Sequence, residues 1–329
     1  MTGPTGPIVL DCDPGLDDAV ALQYALGTGR YELKAITAVG GNSSVEHTYR
    51  NARALVKAFG VAHEIPVYRG VGGRLSRRIQ GPAASDFHGA GGLGDEVADD
   101  SGVPEQSESA VDALLRLSRR HAGELTVVAT GPLTNIAAAL IADPGFAERI
   151  RLVFMGGTVS EPGNVSPTAE FNIWHDPEAA DLVVASGVDY TMVGLDATHR
   201  ARFTRAHLAR LEAAGEPLAF TVRLLKFYFG SYDRYRRADA VPLHDPLAVG
   251  AALDPDYLTL EAGTVFVECA SPLTTGQTVF LHEQELAGTS LPQQLTARAR
   301  TSRGKVATGL GTKDFVEDFT AVLEQWGGR

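Results

Sequence analysis

Two hydrophobic rhythms take turns along the chain. Residues 7–11, PIVLD, are a short continuous apolar run, the pattern of a strand buried on both faces. LDDAVALQYALG, starting at Leu16, carries apolar residues at helical spacing and closes on glycine. YELKAITAVG reads as a second strand, SVEHTYRNARALVKAFG as a second helix and IPVYRG as a third strand. After a long loop come a helix over 108–122, strand ELTVVAT, a helix over 133–142, strand IRLVFMGG, a helix over 178–186 and strand DYTMVG. This alternation predicts an α/β fold with a mainly parallel central sheet and helices on both faces. The last third is expected to add helices around 205–237 and 244–253, strands around 257–269, 276–281 and 293–301, and a helix over about 312–326. No linker or internal repeat divides these segments, so one domain over 1–329 is expected.

Two insertions interrupt the pattern, at 70–107 and 156–176, and long loops in compact α/β folds are often functional. Ligands of open parallel sheets bind beyond the carboxyl ends of the strands. DCDPGLDD, GGNSS, TGPLTN, MGGTVSEPGN and GLDATH each follow a predicted strand, so these polar stretches should converge on one rim.

Composition narrows the partners. The chain has 329 residues, 44% apolar and 21% charged, with a net charge of −11. That balance, with no basic run, argues against a nucleic-acid groove. The two cysteines, Cys12 and Cys269, lie in strand-like runs and read as inert buried thiols. No stretch is apolar and long enough to span a bilayer, and the N-terminal residues lack a leader pattern, so no membrane association and a cytoplasmic location are expected.

The candidate chemistry begins at IVLDCDPGLDD, where Asp11, Asp13, Asp17 and Asp18 crowd one strand-to-helix turn. Aspartate before proline is a common helix cap, and the chain has such pairs at Asp13, Asp143, Asp176, Asp245 and Asp254. Capping needs one carboxylate; four need a counter-charge. A hard divalent cation with oxygen ligands is the natural candidate, since no histidine or cysteine pair stands at zinc spacing. An Asp-x-Asp turn after an apolar strand also resembles the haloacid-dehalogenase-type phosphatases, with Asp11 as nucleophile and Asp13 as acid/base. Lys34, Lys57, Lys226, Lys305 and Lys313 do not supply the lysine beside paired acids which that reading requires.

Taken together, DCDPGLDDAVAL, VGGN, ATGPLTNIA, MGG, EPGN…AEFNIWHDPEAA and HDPLAV resemble the nucleoside hydrolase family of the inosine–uridine-preferring type, from about residue 7 to residue 255. The resemblance implies a Rossmann-like α/β fold and an N-glycosidase that converts ribonucleosides to ribose and free base. It implies one Ca2+ held by Asp13, Asp18, the carbonyl of Thr130 and Asp245, with Asp13 also acting as base on the bound water and Asp11 supporting from behind. Asp17 and Asn42 would hold the 2′- and 3′-hydroxyls. Asn164, Glu170 and Asn172 would grip the 3′- and 5′-hydroxyls and the developing positive sugar, above Met155. His244 is implied as the acid for the leaving base, and His88 as a base contact. Tyr228 and Tyr232, four apart on one helix face, would border the base pocket, and Phe171 would stack on the base; core packing is an equal account of the tyrosine pair. Assembly as a homodimer or homotetramer and a role in purine or pyrimidine salvage are further expectations. A nucleoside- or sugar-binding protein without turnover is the non-enzymatic alternative.

Overall fold

The alternation of side chains along each buried strand fills two cores, one on each face of the sheet. The computed structural model describes residues 6–75, 85–89, 91–236, 239–285 and 292–327; part of the loop expected at 70–107 lies outside them. The strand β1 (Pro7–Cys12) turns at once into α1 (Leu16–Thr28). β2 (Glu32–Ala38), α2 (Val45–Ala58) and β3 (Val67–Arg69) follow, then the one-turn helix α3 (Ser85–His88) and α4 (Ala110–Arg120). β4 (Leu125–Ala129), α5 (Thr134–Ala142), α6 (Phe146–Arg149) and β5 (Ile150–Met155) lead to α7 (Phe171–His175) and α8 (Pro177–Ala185). Next come β6 (Asp189–Val193), α9 (Leu195–Thr198), β7 (Arg202–Thr204), α10 (Arg205–Ala213), α11 (Ala219–Arg236), β8 (Ala240–Pro242) and α12 (His244–Leu253). The last third closes with β9 (Leu258–Val267), β10 (Thr278–His282), α13 (Gln293–Thr301), β11 (Arg303–Leu310) and α14 (Phe315–Gly327).

Among the described residues, one nine-stranded sheet runs in the order β10-β9-β11-β6-β5-β4-β1-β2-β3. Its pairings are parallel except those of β9, which runs against both β11 and β10. The six strands β3-β2-β1-β4-β5-β6 have the doubly wound order, which reverses direction between β1 and β4 and opens a crevice at their carboxyl ends. Leu10, Cys12, Ile36, Val128 and Val153 face a core shared with α1, α11, α12 and α14. Their neighbours Val9, Ala35, Val127, Ala129 and Leu152 face a second core with α4, α5 and α8. The expected α/β architecture with helices on both faces is therefore present.

Two expectations are corrected. Segment 293–301, QQLTARART, expected as a strand, is the helix α13. Apart from its threonines it consists of good helix formers, and Pro292 stands at its start. The strand is the next segment, β11, whose glycines hide the β signal. Gly304 is required there: a Cβ would fall 2.2 Å from the Tyr190 hydroxyl of neighbouring β6. Cys269, expected as a buried strand thiol, is only half-buried and lies just past β9, whereas Cys12 is buried; neither is in a disulfide.

Candidate active site at the carboxyl rim of the sheet

β1 delivers Asp11 and Asp13 to the crevice beside β4. Asp11 Oδ1 accepts from Thr37 Oγ1 at 2.5 Å and Asn135 Nδ2 at 2.8 Å, so it is tied to β2 and α5 behind the rim. Burial pushes its carboxyl up to about 7, against the pull of those two hydrogen bonds. Asp13 sits between two glycines. A Cβ on Gly41 or Gly131 would strike its carboxylate, so only glycine lets the backbones after β2 and β4 close around it. Asp13 Oδ2 accepts from Asn42 N at 2.6 Å, while its buried Oδ1 has no hydrogen-bond partner among the described residues.

Asp17 and Asp18 occupy the first turn of α1, behind the N-cap Gly15. Asp18 Oδ2 accepts from Gly15 N at 2.8 Å and its Oδ1 from Thr130 Oγ1 at 2.8 Å. Asp245 enters from the first turn of α12, which packs along α1. Asp17, Asp18 and Asp245 each offer an oxygen within 4.8 Å of the others, a group able to hold a metal ion. Asp13 stands beside this trio, close enough for its charge to act on Asp245 and to feel Asp18.

The electrostatics define the problem this geometry poses. Burial raises Asp17 and Asp18 to about 6, and raises Asp13 and Asp245 well above the carboxylate range; mutual repulsion adds to the rise in Asp13, Asp18 and Asp245. Among the described residues no lysine or arginine is paired with these four, and His88 Nδ1 lies 3.9 Å from Asp17 Oδ1. That imidazole is itself pushed down to about 4 by burial, so it is neutral. The amino ends of α1 and α12 offset part of the charge. What remains, with buried unpartnered oxygens on Asp13 and Asp17, fits a hard oxygen-seeking divalent cation.

Of the other Asp-Pro pairs, Asp143 ends α5 and accepts from Gly145 N within a turn, without capping the start of a helix. Asp176 and Asp254 do cap: Asp176 accepts from Ala179 N at the start of α8, and Asp254 from Asp256 N. Asp13 and Asp245 do not act this way: the N-cap positions of α1 and α12 belong to Gly15 and Leu243.

The loop after β5 brings the residues expected at the sugar. Asn172 Nδ2 donates to the Thr130 carbonyl at 2.7 Å and the Met155 carbonyl at 3.2 Å, knitting β4 and β5 ends together. The Thr130 oxygen keeps a second lone pair. Glu170 caps α7 through Asn172 N and Ile173 N and also accepts from Gly157 N; burial raises it to about 7. Asn164 Oδ1 accepts from Phe171 N, and the Phe171 ring packs on His175. Asn42 Nδ2 reaches the Asp13 carbonyl at 3.2 Å and Asp18 Oδ2 at 3.4 Å.

α11 and α3 supply the other side. His88 Nδ1 accepts from Leu16 N at 3.1 Å, so the histidine satisfies one of the orphan amides that open α1. Tyr228 and Tyr232 are buried edge to face with ring centroids 5.1 Å apart, and the Tyr232 hydroxyl lies 3.3 Å from His244 Nε2. Asp17 and Asp245 act electrostatically on Tyr228, which places the pair beside the acidic cluster as well as in the core. His244 Nδ1 meets Thr198 Oγ1 at 2.8 Å.

Sequence reading passed over four supporting residues. Thr37 and Asn135 hold Asp11, Thr198 holds His244, and Asp196 accepts from Val159 N, Ser160 N and Glu161 N at 2.7, 2.8 and 3.2 Å. Asn135 and both α9 residues lie within the rim stretches TGPLTN and GLDATH, which was the available signal. The phosphatase alternative is not favoured: its nucleophile would be Asp11, which is fully buried and held by Thr37 and Asn135.

Comparison with known proteins agrees with this geometry. The family model described as inosine-uridine preferring nucleoside hydrolase matches residues 8–317. The pyrimidine-specific ribonucleoside hydrolase RihA of Salmonella enteritidis is 38% identical over 276 residues, 83% of this chain and 88% of that protein. The solved purine-preferring ribonucleoside hydrolase from Gardnerella vaginalis superposes with a TM-score of 0.87 at 32% identity, covering 98% of this chain and 99% of the other. The plant nucleoside hydrolase PpNRh1 gives a TM-score of 0.87 at 31% identity over the same shares.

Proposed function

The chain belongs to the inosine–uridine preferring nucleoside hydrolase family, and from that premise we propose that it hydrolyses the N-glycosidic bond of ribonucleosides with Ca2+ as its metal. The observation that carries the reading is the set of buried carboxylates at the sheet's switch point with no basic partner among the described residues. Asp13, Asp18, Asp245 and the Thr130 carbonyl would hold the ion, with Asp17 close against Asp245. When bound, such an ion offsets the clustered charge and acidifies water in its shell.

The chain's own groups divide the remaining work. Asp13, held by Asn42 N and flanked by glycines, takes a proton from the water that attacks the anomeric carbon. The carbon–nitrogen bond breaks with its electron pair going to the base, and the sugar carries positive charge as it does so. Glu170 and the aspartates stabilise that charge in a water-poor crevice. Asp17, Asn42, Asn164 and Asn172 bind the ribose hydroxyls, so a deoxyribose leaves buried polar groups unmatched. His244 protonates the departing base from Nε2, the nitrogen that faces Tyr232. His88, Phe171, Tyr228 and Tyr232 line the base side above Met155.

The test is an assay with uridine, cytidine, inosine, adenosine, their 2′-deoxy forms and p-nitrophenyl phosphate, before and after chelation. Ribose release that depends on added Ca2+ is expected. Undiminished ribose release from fully stripped protein would refute the metal role, and phosphate release without ribose would refute the hydrolase reading.

A further inference from the structure

His244 has both ring nitrogens engaged, and the two sides are not equivalent. Nε2 faces the Tyr232 hydroxyl; Nδ1 faces the Thr198 hydroxyl at 2.8 Å. A neutral imidazole carries its proton on one nitrogen only, and the partner of the other decides which.

Thr198 decides the choice by the rules of buried polar groups, because the Tyr232 hydroxyl has Tyr228 as a second hydrogen-bond partner. It is fully buried, and among the described residues its hydroxyl bonds to His244 alone. A buried O–H must donate to something, and Nδ1 is the acceptor within reach. With Nδ1 accepting, the ring proton sits on Nε2. That is the nitrogen from which a leaving base would be protonated.

The fold holds Thr198 there from three directions. The Leu195 amide of α9 donates to the Gly157 carbonyl at 2.9 Å, and a Cβ on Gly194 would come within 2.7 Å of that same oxygen, so α9 sits hard against the loop after β5. Asp196 pins residues 159–161 through their amides. Beyond α9, β7 pairs with β8 in the register Arg202↔Pro242 to Thr204↔Ala240, and Leu243 N donates to the Ala201 carbonyl. That ribbon brings the residue after β8, and with it His244, back against Thr198.

We infer that Thr198 is a positioning residue that fixes the ring orientation and Nε2–H tautomer of His244 for protonation of the leaving base. The inference rests on the proposed role of His244 as that acid, and the experiment separates the two. Thr198→Val keeps the shape and removes the hydroxyl; Thr198→Ser restores it. For uridine and inosine, Thr198→Val should lower kcat/KM roughly tenfold, the scale of one lost hydrogen bond, while p-nitrophenyl riboside, whose leaving group needs no proton, changes by less than about twofold. Thr198→Ser should recover most of the loss. In a His244→Ala background, Thr198→Val should cost nothing further.

Equal losses on nucleosides and p-nitrophenyl riboside for Thr198→Val, or an undiminished effect in the His244→Ala background, would overturn the inference alone. Equal losses on both substrates for His244→Ala would overturn the acid role and the inference with it. The nitrogen-15 spectrum of His244 gives a reading independent of turnover. The Nε2–H tautomer is expected in the native protein, and a predominant Nδ1–H form there would overturn the assignment.

Discussion

At Asp13 the structure separates a cap from a chemical group. Its Oδ2 is fixed by Asn42 N, its Oδ1 has no partner among the described residues, and glycines at 41 and 131 leave no slack around it. In the role proposed for Asp13, Asp13→Ala would remove base and ligand together, so kcat on uridine should fall at least as far as the loss of a general base alone, roughly 10²–10⁴-fold. Steady-state assay with metal analysis of the same sample checks this, and near-wild-type turnover would refute the assigned role. The carboxylates were legible in the sequence because four like charges in one turn have no ordinary structural explanation. Thr37, Asn135 and Thr198 were not: each is a single uncharged polar residue in an otherwise apolar or helical pattern, and its importance appears only when a distant partner is brought within 3 Å. Tyr228 and Tyr232 are both buried, as core packing would have them, and the Tyr232 hydroxyl also lies beside His244.

Elements were legible where periodicity and local chemistry agree. α1 has an apolar pattern, acidic residues in its first turn and Gly29 in the left-handed conformation at its end, with φ 60°. They were misread where they conflict, as at 293–301, whose alternation suggests a strand but whose alanines, glutamines and arginines make the helix α13. α9 is too short to leave a periodic signal, yet it joins the two sides of the crevice through Asp196 and Thr198. Asp196→Ala strips three backbone amides of their acceptor and should destabilise the protein by about 1–3 kcal/mol. Because the loosened segment leads to Asn164, KM for ribonucleosides should rise by a larger factor than kcat falls. A melting curve and a Michaelis plot together test this; an unchanged KM would separate the loop from sugar binding.

For the whole molecule, the buried acids make stability depend on pH and cation together. Burial holds Asp17 and Asp18 at about 6 and Asp11 and Glu170 at about 7, above the value near 4 of carboxyls in an unfolded chain. Without a cation the folded state then binds more protons than the unfolded one. The contribution of these groups to stability is fully present below about pH 4 and is lost as pH rises through 6 to 7. The gain in Tm on adding Ca2+ to chelated protein should therefore be larger at pH 7.5 than at pH 5.5; a constant gain would argue against binding at this cluster. The switch point between β1 and β4 also sets an order of events during synthesis. Asp17 and Asp18 leave the ribosome with the first helix, whereas Asp245 emerges only after β1 to β8 have been made. The acidic trio cannot close until α12 docks on α1, so a growing chain meets the repulsion between Asp245 and the aspartates of the first turn late, when most of the sheet that must withstand it already exists.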